Sequence, residues 1–251
     1  MYSDAVVETL NVSTLPLAET AALICHNAGS VGAQNVFTLN LDHIVKLRKD
    51  ARFRAVYGRA GLITADGFPI VIACRLQGKR LNRVAGSDLI APISAEAARS
   101  GKSIYFFGSN LKVLMTASRV LRERNPGLRI AGMFAPPQGF DPTSEDASRC
   151  VEMIRNSGAD LCFVALGAPK QEVFADHGKS FLPNVSFVCI GAGLGFIAGA
   201  QVRAPLWMQR NGLEWLWRAT SNPQRLLYRY LLCMGALPGI LARAALLPRQ
   251  Q

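Results

Sequence analysis

The strongest constraint on the fold is an alternation. Short apolar runs at 36–40, 62–65, 103–107, 128–134, 160–166 and 185–190 each stop at a glycine, proline or polar turn. Segments with helical spacing of apolar residues lie between them. A run that is apolar at nearly every position is what a strand buried on both faces requires. Strand, helix and strand in succession, joined by short turns, are βαβ units. The sequence therefore predicts an α/β fold: a Rossmann-like, mostly parallel sheet with helices on both faces. Helices are expected over 13–34, over 42–57, from Ile70 to near Gly78, and from about Asp88 to Gly101. Others follow Asn110, span 144–156 and follow Pro169.

From Pro205 onward the alternation stops and only helical spacing remains. The chain thus divides into an α/β body at 1–202 and a C-terminal helical, basic appendage at 203–251. The appendage carries Arg203, Arg210, Arg218, Arg225, Arg229, Arg243 and Arg249 against the single acid Glu214, which is +6 of the chain's +11. Trp207, Trp215, Trp217, Tyr228 and Tyr230 are interleaved with these charges. Arginine mixed with aromatics and leucines is the composition of a helix resting on an anionic membrane surface. Arg218, Arg225 and Arg229 are its candidate membrane or acceptor contacts. Nucleic acid is not expected as the anionic partner, because no recognisable binding motif accompanies the charge. No uncharged run reaches the roughly 20 residues that a spanning helix needs, and Met1-Tyr2-Ser3-Asp4 lacks the basic start of a signal peptide. The six cysteines (Cys25, Cys74, Cys150, Cys162, Cys189, Cys233) have no paired spacing. They fit a reducing compartment rather than a disulfide framework or a zinc site.

In open α/β sheets, ligands bind outside the carboxyl ends of the strands. The residues expected there are Thr38 and Asn40, Asp66, Gly108 and Ser109, Gly167 and Pro169, and Gly191 and Gly193. Glycine turns let a ligand approach the backbone, and helix N-termini present N–H groups to phosphate. Three such turns in the second half point to a phosphate-bearing ligand. Gly191-Ala192-Gly193-Leu194-Gly195 only partly matches a dinucleotide fingerprint: its third glycine is one position early, and no second βα unit follows to carry the ribose-binding acid. No P-loop is present. His26, His43 and His177 have no partner at metal-ligand spacing and read as surface or packing residues, so no metal site is expected. No serine stands in a nucleophile elbow.

The catalytic candidates that remain are the carboxylates Asp66, Asp88, Glu172 and Glu214. Asp66 ends the run Leu62-Ile63-Thr64-Ala65-Asp66-Gly67-Phe68-Pro69. A carboxylate at a strand end suits a general base that takes a proton from a hydroxyl. It equally suits the N-cap of the helix that follows.

These residues, in this order, resemble the WecG/TagA/CpsF family of bacterial glycosyltransferases. The markers are Thr38-Leu39-Asn40, Ala65-Asp66-Gly67, Arg83-Val84-Ala85-Gly86-Ser87-Asp88-Leu89, Gly167-Ala168-Pro169-Lys170-Gln171-Glu172, and Arg203-Ala204-Pro205 leading to Leu213-Glu214-Trp215. The resemblance implies inverting transfer of a sugar from a UDP-sugar to a polyprenyl-diphosphate-linked saccharide. The sugar would be of N-acetylmannosamine, uronic acid or hexose type, moved without a metal or other cofactor at the cytoplasmic face of the membrane. Asp66 aligns with the family's base. Thr38, Asn40, Arg83, Asp88, Gln171 and Glu172 would bind substrate, and Gly108, Ser109, Gly167, Pro169, Gly191 and Gly193 the nucleotide. The resemblance also suggests self-association. Where many members carry an aspartate before a phenylalanine after the last strand, this chain has Gly195-Phe196. A nucleotide-dependent oxidoreductase and a non-catalytic binder of lipid-linked sugar are the alternatives from other classes.

Overall fold

The computed structural model describes residues 4–221 and 223–246. Six strands form one sheet in the order β4-β3-β8-β7-β5-β6, and every pairing in it is parallel. They are β3 (Asn35–Leu39), β4 (Leu62–Ala65), β5 (Ser103–Gly108), β6 (Arg129–Phe134), β7 (Leu161–Ala165) and β8 (Ser186–Cys189). The two remaining strands, β1 (Ala5–Val7) and β2 (Leu10–Val12), make a separate antiparallel hairpin.

The apolar runs are nearly continuous because each strand feeds two cores by simple alternation. In β5, Ile104 and Phe106 point to one face while Tyr105 and Phe107 point to the other; in β7, Phe163 and Val164 divide the same way. One face is covered by α1 (Leu17–Asn27), α5 (Gly86–Ser100), α6 (Leu111–Arg124) and the short α9 (Gly193–Ile197). The other is covered by α2 (Leu41–Lys49), α3 (Ala51–Gly58), α4 (Phe68–Leu76), α7 (Glu145–Ser157) and α8 (Lys170–Phe181). At the centre of that second core, Phe107 of β5 stacks on Phe174 of α8 at 4.0 Å between ring centroids.

Two expectations are corrected by local chemistry. The helix expected over 42–57 is two helices. Asp50 ends α2 and its side chain accepts from the Phe53 N–H at 3.0 Å, so it caps α3 and turns the chain between them. The helix expected over 13–34 occupies only 17–27. Ser13 instead bridges to Thr64 beside β4, and the preceding residues form the hairpin. Gln77 completes the edge of β1 like a strand partner, donating to the Val6 carbonyl at 2.5 Å and accepting from its N–H at 3.0 Å.

Among the described residues, three helices follow α9: α10 (Leu206–Arg210), α11 (Glu214–Ser221) and α12 (Pro223–Leu246). Ile240 and Ala244 of α12 are buried in the same core as α2 and α4. Glu8 of the hairpin links this end of the chain to the body, pairing with Arg48 of α2 at 2.6 Å and Arg243 of α12 at 3.1 Å. Gly212, at φ +73, turns α10 into α11 against Phe68; a Cβ there would lie 2.8 Å from that side chain. Among the described residues, no helix is long and apolar enough to cross a membrane.

Candidate active site

All six strands of the sheet are parallel, so their C-terminal ends share one edge. That edge gathers Thr38 and Asn40 at the end of β3, Asp66 after β4, Gly108 and Ser109 at the end of β5, Gly167 and Pro169 after β7, and Gly191 after β8.

Asp66 is held by its backbone, whose N–H donates to the Leu39 carbonyl of the neighbouring strand at 2.8 Å. It does not cap the following helix. The N-cap of α4 is Gly67, at φ +99, and no side chain caps that helix. The Asp66 carboxylate is therefore left for other work, and it is 27% exposed. Arg83 lies beside it, with Nη1 at 3.6 Å. The same guanidinium reaches Asp88 at 2.8 Å and Glu214 at 3.7 Å. A second arginine, Arg203, meets the other oxygen of Asp88 at 2.5 Å and approaches Glu214 at 3.8 Å.

Three carboxylates and two guanidiniums, drawn from the turn after β4, the loop before α5, α5, the loop after α9 and α11, thus form one cluster. With all five ionised, it carries one net negative charge. Burial works against the charge on Arg203. The hydrogen bond to Asp88 and the nearby Glu214 and Asp66 carboxylates outweigh it and hold its pKa above the ordinary value. Two of its nitrogens, Nε and Nη2, are buried without a hydrogen-bond partner. Among the described residues no group of histidines, cysteines and acids is arranged to hold a metal ion.

Farther along the edge, a cleft of about 540 Å³ opens over the ends of β5, β6 and β7. Ser109, Asn110, Gln138, Gly139, Gly167 and Lys170 are among its lining. Gly108 is required by two constraints: its φ is +107, and a Cβ would lie 2.5 Å from the Ala165 carbonyl oxygen. Ser109 also has a positive φ of 57, unusual for a residue with a side chain and a form of strain that gathers at functional turns. Pro169 is the N-cap residue of α8, and Lys170 at its start donates to the Phe140 carbonyl at 2.7 Å. Gly193 stands away from the cleft, packed in the first turn of α9 against Ser87 and Ile90 of α5.

The other sequence-derived residues are brought together in a different way. Thr38 is buried, and Asn40 caps α2 by accepting from the His43 N–H at 3.0 Å. Gln171 and Glu172 are buried at the start of α8, where the Gln171 side-chain Oε1 accepts from the Gly191 N–H at 3.0 Å. His43, read from sequence as a surface or packing residue, is buried with them, 3.7 Å from Glu172. Its spacing three residues after a capping asparagine was the available signal. Arg225 and Arg229 of α12 and Arg218 of α11 have side chains outside the described residues.

A doubly covered parallel sheet with an acid at one strand end and a polar cleft farther along that edge is a frame shared by many ligand-binding enzymes. The family model of the glycosyl transferase WecG/TagA/CpsF family matches residues 6–251. The chain belongs to that family and is a glycosyltransferase. It is similar to a protein of Bacillus spizizenii strain W23, with 30% identity over 191 residues covering 76% of this chain and 72% of the relative. It is similar at 29%, with the same coverage, to a protein of Bacillus subtilis strain 168. Each relative is an N-acetylglucosaminyldiphosphoundecaprenol N-acetyl-beta-D-mannosaminyltransferase.

Proposed function

We propose that this chain moves a sugar from a UDP-sugar to a polyprenyl-diphosphate-linked saccharide, with Asp66 as general base. The observation that carries the reading is the Asp66 carboxylate itself. It stands at the ligand-binding edge, free of helix capping, partly exposed and 3.6 Å from Arg83. In the reaction, Asp66 takes the proton of an acceptor hydroxyl as that oxygen attacks the anomeric carbon. The bond from the sugar to the diphosphate breaks on the opposite face, which inverts the centre. Charge then grows on the departing diphosphate. Arg83, with helix N-termini such as that of α8, supplies the compensating donors, and the transfer is read as metal-independent on that account.

The nucleotide is assigned to the cleft at Ser109, Gly139 and Gly167. Three to four inter-strand spacings, about 14–19 Å, separate the end of β4 from the ends of β7 and β5, so an elongated ligand suits the edge. The names of the two relatives favour N-acetylmannosamine as the sugar and N-acetylglucosamine on undecaprenyl diphosphate as the acceptor. A lipid-borne acceptor suits a protein resting on the membrane. Leu206 and Trp207 of α10, 67% and 60% exposed, present apolar side chains to solvent a few residues along the chain from Arg203 of the acid–arginine cluster. Incubation of the purified protein with a panel of UDP-sugars and the lipid-linked acceptor tests the reading. Turnover with UDP-N-acetylmannosamine supports it, and no turnover with any UDP-sugar overturns it.

A further inference from the structure

A second polar network lies beneath the same sheet edge, built from residues outside the Asp66 cluster. Glu172 is completely buried. Its Oε1 accepts from Gln171 Nε2 at 2.8 Å and lies 3.7 Å from His43 Nε2, while its Oε2 has no hydrogen-bond partner. On the far side of the imidazole, His43 Nδ1 is 3.2 Å from the Tyr57 hydroxyl, which in turn is 2.8 Å from the Thr38 carbonyl.

Counting protons settles who donates to whom. Tyr57 has one hydroxyl proton, and the Thr38 carbonyl can only accept it. The Tyr57 oxygen is then an acceptor toward His43, so Nδ1 carries a hydrogen. That leaves Nε2 facing the Glu172 carboxylate. A bare nitrogen opposite a bare carboxylate would set lone pairs against each other in a site closed to water, which is costly. One proton between them removes the conflict, whether it rests on the imidazole or on the carboxyl.

The network joins two turns of the sheet edge, the one after β3 and the one after β8, to the start of α8. Thr38 is the next-to-last residue of β3, Asn40 is bonded to the His43 N–H, and the Gly191 turn after β8 is held by the Gln171 side chain. Strand β3 is the one that pairs with both β8 and the Asp66 strand β4.

We propose that His43 and Glu172 share one proton in a buried pair that fixes the Thr38, Asn40 and Gly191 turns in place for sugar transfer. Both are positioning residues: they act through Tyr57, Gln171 and Asn40. Glu172→Gln keeps the volume but not the pair. An amide oxygen at the Oε1 position still accepts from Gln171 yet offers His43 no proton, and an amide nitrogen there opposes the Gln171 donor. The role in transfer rests on the glycosyltransferase reading above; the shared proton does not.

The test uses the full chain labelled with 15N-histidine. In wild type, His43 Nδ1 is expected to be protonated, and the Nε2 resonance is expected to be displaced in E172Q, with H43F supplying the assignment. Transfer should lose about ten- to a hundredfold in kcat in E172Q, as expected when reacting groups are slightly misplaced, while donor KM changes by less than about threefold. Because the two residues act as one unit, the H43F/E172Q double variant should lose no more than the worse single variant. An unchanged Nε2 resonance, a deprotonated Nδ1 in wild type, additive losses, or folded single variants with wild-type kcat would each overturn the proposal. If E172Q does not fold, the wild-type Nε2 resonance decides: the position of a bare, unbonded imidazole nitrogen overturns the shared proton, and one displaced from it supports the proposal. A wild type that turns over no UDP-sugar would sink the transfer reading, and a displaced Nε2 would still support the shared proton.

Discussion

The Arg203 guanidinium meets the Asp88 carboxylate at 2.5 Å, and that contact fastens the segment leading into the C-terminal helices to the first turn of α5. Asp88 also holds Arg83, so the two arginines are linked through one acid. Arg203→Ala is expected to cost about 1.5–3 kcal/mol of stability, the range for losing a hydrogen bond to a charged group. Urea denaturation measures it. Arg203→Lys should recover part of the loss, since a single ammonium cannot span Asp88 and Glu214 as the guanidinium fork does. An Arg203→Ala midpoint equal to wild type would remove the contact from any account of stability.

The core under the C-terminal edge of the sheet makes a separate prediction. Phe174 is completely buried and stacks on Phe107, with Phe140 and Phe187 edge-on around it. Phe174→Ala should destabilise the protein by about 3–5 kcal/mol, combining lost transfer energy with the cavity left behind. Phe174→Leu should cost clearly less.

Alkaline pH should weaken the fold through the buried thiols. Burial pushes Cys25 and Cys74 up to about 12, whereas an unfolded cysteine ionises near about 8.5. A folded pKa above the unfolded one means that the contribution is complete below about 8.5 and is lost as pH rises through about 12. Melting temperature followed across that window should fall, and a Cys25→Ala/Cys74→Ala variant should lose less of its own stability over the same range.

Much of the fold was legible because burial on both faces of a parallel sheet leaves a plain signature. Runs such as Ile104 to Phe107 are apolar at every position, and glycine or small polar residues must follow where the chain turns into a helix. Asp66 was legible for the same reason, as an acid ending such a run. Its two possible roles could not be separated from sequence. The choice depends on whether its backbone or that of Gly67 starts the helix, and Gly67 takes the cap. The break at Asp50 was hidden because apolar spacing continues across it and only the capping bond marks the turn. The pairing of Asp88 with Arg203, and of His43 with Glu172, joins residues far apart in the chain. No local pattern encodes such contacts; they follow from the order in which strands enter the sheet.

The exposed apolar side chains of α10 lead to a prediction about the membrane. Replacing Leu206 and Trp207 by Ser should weaken binding to vesicles of anionic lipid at least tenfold, because burying each side chain is worth about 1.5–3 kcal/mol. Co-sedimentation at fixed salt measures it. Unchanged binding would place the lipid contact elsewhere on the chain.

The central claim is that Asp66 removes the acceptor proton, and one comparison tests it most directly. Asp66→Asn keeps the size of the side chain and abolishes its basicity. Donor affinity, titrated with the UDP-sugar that the wild type uses, should stay within a few-fold of wild type. Transfer should fall by about 10²–10⁴, the usual contribution of a general base. An Asp66→Asn variant that transfers sugar at the wild-type rate would contradict the account.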